Sequence, residues 1–413
     1  LKSKWFMFLV LFLSGVTVAL SQLKVPPIMG LLSEQMNISL SEASWLMSIF
    51  TVGGIVFAIP GASIMNKLGP KKLLLCLMAS LCVGNMLGGM TKVYHVLLLS
   101  RMIEGIAFAM IILVALVMIN TWFGEKAGSA IGIFNTFAAV GSFITMNACL
   151  PITNTFGLKS LWFIVGGLAA LCFVLVLVFI KMPEDMQSER QEKGLLKEAS
   201  KNKHTWIVAG AMGCIAFVLF TFVTSYPQLF TGLYGLAPNE ANFYASLNGL
   251  FGIPFCILCG FIVDKTGKPM LVTLLGFIAL ALTCMMTTLL GPTTFVLHTI
   301  LTALFGGVTL TAMFCIAPAV AKRPACIGYT LALVNLVYYI GVFACSPVIL
   351  GTAESMGWQM SATILVGVSV VGACLVAYLI FKTKKKITKK HLKVCFKEET
   401  LRYFFEKIYK VVI

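Results

Sequence analysis

Between Lys159 and Lys181 the chain reads Ser-Leu-Trp-Phe-Ile-Val-Gly-Gly-Leu-Ala-Ala-Leu-Cys-Phe-Val-Leu-Val-Leu-Val-Phe-Ile, residues 160–180, without a single charge. Wound as an α-helix at about 1.5 Å per residue, this stretch crosses a ~30 Å hydrocarbon core with its backbone polar groups satisfied internally. Runs of the same kind place other spans near 5–24, 45–64, 73–90, 94–120 and 129–151, and a second set near 205–226, 240–263, 270–290, 293–320, 326–350 and 358–381. Composition agrees. Hydrophobic residues make up 59% of the 413 and charged residues 11%, with a mean hydropathy of +0.97, whereas a soluble domain carries about 25% charged residues. The fold class is an all-α polytopic membrane protein with twelve transmembrane helices.

The formal net charge of +16 raises the question of a nucleic-acid partner, and its distribution answers it. With the N-terminus inside, the inner segments hold Lys2, Lys4, Lys67, Lys71, Lys72, Lys126, the 181–204 loop, Lys265, Lys268, Lys322, Arg323 and the tail. Of the 31 basic residues only Lys24, Lys92, Arg101 and Lys159 fall outside or within spans. That bias follows the positive-inside rule and predicts a plasma (inner) membrane protein with both termini cytoplasmic. The charge reports orientation and gives no reason to expect nucleic acid. The thirteen cysteines are scattered, mostly within spans. Cys256 and Cys259 form a C-x-x-C inside an apolar run, where small buried residues explain them better than zinc or redox chemistry. No cofactor or metal is expected. The first span lacks a small-residue cleavage pattern and reads as a retained helix.

The chain resembles itself. At an offset of 198 residues, Glu42-Ala43, Ser48, Gly54, Lys67 and Gly69 recur as Glu240-Ala241, Ser246, Gly252, Lys265 and Gly267. At an offset of 200, Gly128, Asn135, Gly141 and Phe143 recur as Gly328, Asn335, Gly341 and Phe343. Six spans followed by six running the same way is a parallel repeat about an axis along the membrane normal. The expected domains are therefore a six-helix bundle over 1–181, a charged linker over 182–204, a second bundle over 205–381 and a basic tail over 382–413. Leu401, Phe404, Phe405, Ile408 and Val412 recur at helical spacing in that tail, as in a helix lying on an anionic inner leaflet.

Two motifs carry a family resemblance. After the eighth span comes Gly260-Phe261-Ile262-Val263-Asp264-Lys265-Thr266-Gly267-Lys268, similar to the G-x-x-x-D-[RK]-x-G-[RK] loop of the major facilitator superfamily. Gly267 suits a tight turn, Gly260 a close helix approach, and Lys265 and Lys268 the inner headgroups. Asp264 suits a latch onto a neighbouring helix N-terminus. The copy after the second span contains Ala62, Asn66, Lys67, Gly69 and Lys71 and departs from the pattern at Ala62 and Asn66. The fourth span carries Arg101-Met102-Ile103-Glu104-Gly105, resembling the family's R-x-x-[QE]-G. An ion at the centre of a span costs at least about 2.5–3.5 kcal/mol unless paired, and three residues of separation lets Arg101 and Glu104 neutralise each other.

The resemblance implies two pseudo-symmetric six-helix bundles around a central cavity, two inner gating loops and transport of a small molecule. Within the spans that line such a cavity, Gln22, Asn135, Tyr226, Asn248, His298, Asn335, Tyr338 and Tyr339 are polar. Asn135 and Asn335 are repeat equivalents, and an amide offers both donors and acceptors to a solute; an interhelical bond is the plainer use of each. The spans lack the G-x-x-x-G-P run of drug–proton antiporters and the cationic residues of nitrate and oxalate–formate carriers. In general pattern the chain resembles the cyanate-porter and related organic-anion groups. No phosphate-cradling G-x-x-x-x-G-K-[ST] is present. The reading is therefore not an enzyme but a monomeric secondary transporter. It would be driven by a gradient of protons acting near Arg101 and Glu104, with a small solute and the lipid bilayer as partners. A non-transporting solute sensor on the same fold is the alternative.

Overall fold

The computed structural model describes residues 4–124, 127–182, 194–323 and 326–383; within these ranges the side chains of residues 62, 66, 127–129, 132, 253 and 256–264 lie outside the description. The helices run α1 Lys4–Leu23, α2 Met29–Met36, α3 Leu40–Phe57, α4 Gly61–Leu68, α5 Pro70–Met90, α6 Tyr94–Phe123, α7 Ala127–Asn135, α8 Phe137–Phe156 and α9 Lys159–Phe179. They continue with α10 Leu195–Ser200, α11 Lys203–Gly232, α12 Pro238–Thr266, α13 Pro269–Met286, α14 Phe295–Ala319, α15 Ile327–Met356 and α16 Trp358–Thr383. Among the described residues, eleven stretches are long and apolar enough to cross a membrane, and the 29-residue α12 completes twelve.

Local chemistry moves several predicted boundaries. α3 starts at Leu40 rather than near 45 because Ser39 and Glu42 form a capping box: Ser39 Oγ accepts the Glu42 N–H at 3.0 Å, and Glu42 Oε2 accepts the Ser39 N–H at 2.8 Å. The span expected as one piece over 45–64 is interrupted at Ala58–Pro60, so that α4 starts behind Pro60. The span expected over 129–151 is likewise divided at Thr136. The first span ends at Leu23 and gives way to a 3-10 turn, Pro26–Ile28, before α2. The two glycines assigned to tight inner turns behave alike: Gly69 has φ +75° and Gly267 φ +61°, values a residue with a Cβ rarely adopts.

The duplication is visible in the packing. In the first half α3 packs on α6, α5 on α6 and α9, and α1 on α8; in the second, α12 packs on α14, α13 on α14 and α16, and α11 on α15. The repeat glycines sit at matching approaches. A Cβ on Gly141 of α8 would overlap Ala19 of α1, and one on Gly341 of α15 would overlap the Gly213 carbonyl of α11. The halves meet through α3 against α15 and α8 against α12, a pair of contacts that a two-fold axis interchanges.

Hydrogen bonds between the halves cluster toward one end of the helices, the end where α1 passes into α2 and which we call the far end. There the side chains of Gln228 and Asn242 donate to the carbonyls of Pro26 and Pro27 at 2.7 and 3.0 Å. The Ser41 N–H donates to Glu354 at 2.9 Å, and Ser48 donates to the Phe343 carbonyl. At the opposite end, α10 belongs with the second half: Leu195 and Ala199 are buried, Arg323 donates twice to Glu198 Oε2 at 3.0 and 2.8 Å, and Asn202 donates to the Val320 carbonyl at 2.7 Å. The expected solvated linker thus ends in a docked helix. The Arg323 hydrogen bonds hold the Glu198 carboxyl below the usual carboxylate range. The amphipathic helix expected in the tail lies outside the described residues.

Candidate functional site

Arg101 and Glu104 project from one face of α6 into the first bundle, both fully buried. Arg101 Nη1 donates to Glu104 Oε2 at 2.6 Å, as the three-residue spacing predicts. The third member was not expected. Lys24, read from sequence as lying at the outer edge, is itself fully buried; its Nζ lies 3.1 and 3.0 Å from Glu104 Oε1 and Oε2 and also donates to Asn85 Oδ1. The break after α1 turns this side chain inward between α5, α6 and α9, where the ammonium lies 4.7 Å from the Trp162 ring centroid. Ser21 Oγ donates to Glu104 Oε2 at 2.7 Å, so the carboxylate is surrounded by donors. With all three groups ionised, two cations face one anion.

Arg101 also shapes the backbone. A helix leaves its last four carbonyls without intrahelical partners. Arg101 donates to two such carbonyls at the end of α1, Ser21 at 2.6 Å and Gln22 at 3.0 Å, and to the Leu46 carbonyl of α3 at 3.1 Å. Gln22, singled out for its side chain, is used here through its main chain. The segment at the α1–α2 junction is therefore held from inside the first half by Arg101 and Lys24. Across the far end, Gln228 and Asn242 hold it from the second half.

The second half carries a neutral buried network of its own. Tyr226 Oη lies 2.9 Å from His298 Nδ1 and 2.7 Å from Thr302 Oγ1; Asn248 donates to Thr302 Oγ1 at 3.0 Å, and His298 Nε2 meets the Thr283 carbonyl at 3.1 Å. A carbonyl only accepts, so Nε2 carries the proton and Nδ1 accepts from Tyr226. The structure thus gathers Tyr226, Asn248 and His298 into one satisfied, buried network.

Asn135 and Asn335 are placed differently. Asn135 ends α7 and is exposed, whereas Asn335 lies half-buried within the unbroken α15. Tyr338 and Tyr339 follow Asn335 by three and four residues. The Tyr339 ring packs edge-on to Phe108 of α6 at 5.8 Å and lies against Gly54 of α3; the Tyr338 ring meets Phe220 of α11 at 6.0 Å. On its other side Phe108 touches Phe50, over whose ring the Arg101 guanidinium lies at 4.3 Å. In the gating loops Lys67, Lys265 and Lys268 are exposed, and Lys71 Nζ donates to the Leu177 carbonyl at 3.0 Å. The side chains of Asn66 and Asp264, with position Gly260, lie outside the described residues, as do those of Cys256 and Cys259.

A sequence model of the Major Facilitator Superfamily matches residues 7–343. The chain is 24% identical over 256 residues to a probable sulfoacetate transporter of Cupriavidus necator, covering 58% of this chain and 60% of that one. It is 23% identical over 282 residues to the hexuronate transporter of Escherichia coli strain K12, covering 63% and 65%. The chain therefore spans less than two thirds of the length of either relative. Among solved structures, a bacterial homologue of the human lysosomal transporter Spinster, in an inward-facing and unoccupied conformation, superposes with a TM-score of 0.72. The match covers 90% of this chain and 96% of the other at 14% identity, a likeness of fold.

Proposed function

Because the chain belongs to the major facilitator superfamily, we propose that it is a secondary active transporter carrying a small organic anion across the plasma membrane by alternating access. The observation that carries this reading is the one-sided latch: two bundles with the same internal packing, hydrogen-bonded to each other toward the far end. Releasing those bonds while closing the opposite end exposes the space between the halves to the other face, the motion expected of a parallel repeat. The positive-inside bias makes the far end the outer face and the α9–α10 end cytoplasmic. The bodies that move are the bundles expected over 1–181 and 205–381, with α10 travelling with the second. The names of the relatives favour an organic anion.

Proton coupling rests on the Lys24–Glu104–Arg101 group. A buried set with one cation in excess is the place in the first bundle where gaining or losing a proton changes the electrostatic cost most. The test is uptake of organic acids by proteoliposomes with and without an imposed pH gradient. Accumulation that collapses with the gradient is the expected result. Binding without uptake in either condition replaces transport by sensing. Uptake in Glu104→Gln that follows pH as the unaltered protein does would remove that carboxylate from the coupling step.

A further inference from the structure

We propose that Asn335, Tyr338 and Tyr339 of α15 form the solute-binding face, and that this face selects small acids bearing one negative charge over dianions. The proposal rests on the transport reading and names its site and substrate class. Spacings of three and four put the three side chains on one side of the helix. All three are half-buried, and among the described residues none makes a side-chain hydrogen bond. Their polar atoms are also absent from the deeply buried groups that lack a partner, which include Ser225 and Thr330. They are half-buried donors and acceptors without a hydrogen-bond partner among the described residues. By contrast, Tyr226 and His298 are bonded to each other, and Asn248 donates to Thr302.

The face is also in the right place. The Tyr339 ring touches α3 and α6 of the first half, while the Tyr338 ring touches α11 of its own half, so a molecule held here contacts both moving bodies. At the 200-residue offset the two tyrosines correspond to Ala138 and Ala139 of α8. The second half thus carries bulk at positions where the first half has small residues.

Charge sets the class. Among the described residues, the fully buried cations at or within the spans are Lys24 and Arg101, and both are bound to Glu104. The α15 face therefore offers an amide and two phenols but no counter-ion. Three neutral donors suit one carboxylate, and the rings suit an apolar body. A second charge would lose its hydration with nothing to replace it.

The full-length chain in nanodiscs is titrated calorimetrically with benzoate, terephthalate and monomethyl terephthalate, the last matching the dianion in size with a single charge. The two monoanions are expected to bind at least about tenfold more tightly than terephthalate at neutral pH. Tyr338→Phe and Tyr339→Phe are each expected to weaken monoanion binding about tenfold, the size of one lost hydrogen bond to a charged group. Because these hydroxyls make no hydrogen bond to the protein, the melting temperature should not move. Wild-type strength in both variants overturns the proposal, as does terephthalate binding that equals its monoester, or no binding of any of the three. Tight, tyrosine-dependent binding without uptake leaves the site standing and removes the transport reading instead. Uptake with binding indifferent to the tyrosines does the reverse.

Discussion

Three buried ionisable side chains give two opposite predictions from neighbouring atoms. Removing the carboxylate in Glu104→Gln leaves Lys24 and Arg101 enclosed together without an anion, a loss of about 3–5 kcal/mol of unfolding free energy. Replacing Lys24 with Met leaves the balanced Arg101–Glu104 pair, held at 2.6 Å, and should cost far less. Denaturant unfolding in detergent, read side by side for the two variants, checks the order; equal losses would contradict it. Arg101 and Glu104 were legible in sequence because charges inside an apolar run demand an explanation. Lys24 was not, since a lysine at the edge of a span looks like a loop residue. The missed clue was its setting, directly between Leu23 and Val25-Pro26-Pro27, an apolar surround for a charge. Tyr226 and His298 stand out in the sequence as polar residues, but their mutual bond depends on how α11 and α14 are rotated, which spacing alone does not disclose.

Helix contacts follow from small residues where the backbones come closest. A Cβ on Gly105 of α6 would overlap the Phe50 carbonyl of α3, so Gly105→Ala must push those helices apart. The expected loss is about 1–3 kcal/mol, seen as a lower melting temperature. The far-end latch makes a second prediction. Gln228→Ala with Asn242→Ala removes two buried hydrogen bonds to Pro26 and Pro27, about 2 kcal/mol together and roughly thirtyfold in the closed-to-open ratio. A cysteine placed at Ser41 should then react faster with an impermeant maleimide; an unchanged rate would show that other contacts hold the end shut. Span number and order could be read from apolar run length. The interruptions near Pro60 and Thr136 could not, because the runs on either side stay apolar enough to read as one span and hydropathy does not register a lost backbone bond.

Across the whole molecule the repeat was legible as matched glycines and loop residues, and the matched packing of the halves agrees with it. The tethering of α10 was hidden, because Glu198 and Arg323 are 125 residues apart in sequence. Its pH dependence has a definite sign. The Arg323 hydrogen bonds depress the folded-state pKa of the partly exposed Glu198, so the tether is complete at neutral pH. It weakens only as the pH falls below the ordinary carboxylate range, through the lowered folded value. The hydrogen-exchange protection factor of α10, with the intrinsic pH dependence of amide exchange divided out, should stay constant from pH 7 to about pH 5 and fall below that; a fall already near pH 6 would assign the tether to another group.

With α10 pinned to its own bundle and the bonds joining the bundles at the far end, covalent continuity between Met182 and Gly194 contributes little to assembly. Two separately translated pieces, divided in that interval, should find each other in the membrane and reconstitute one working unit.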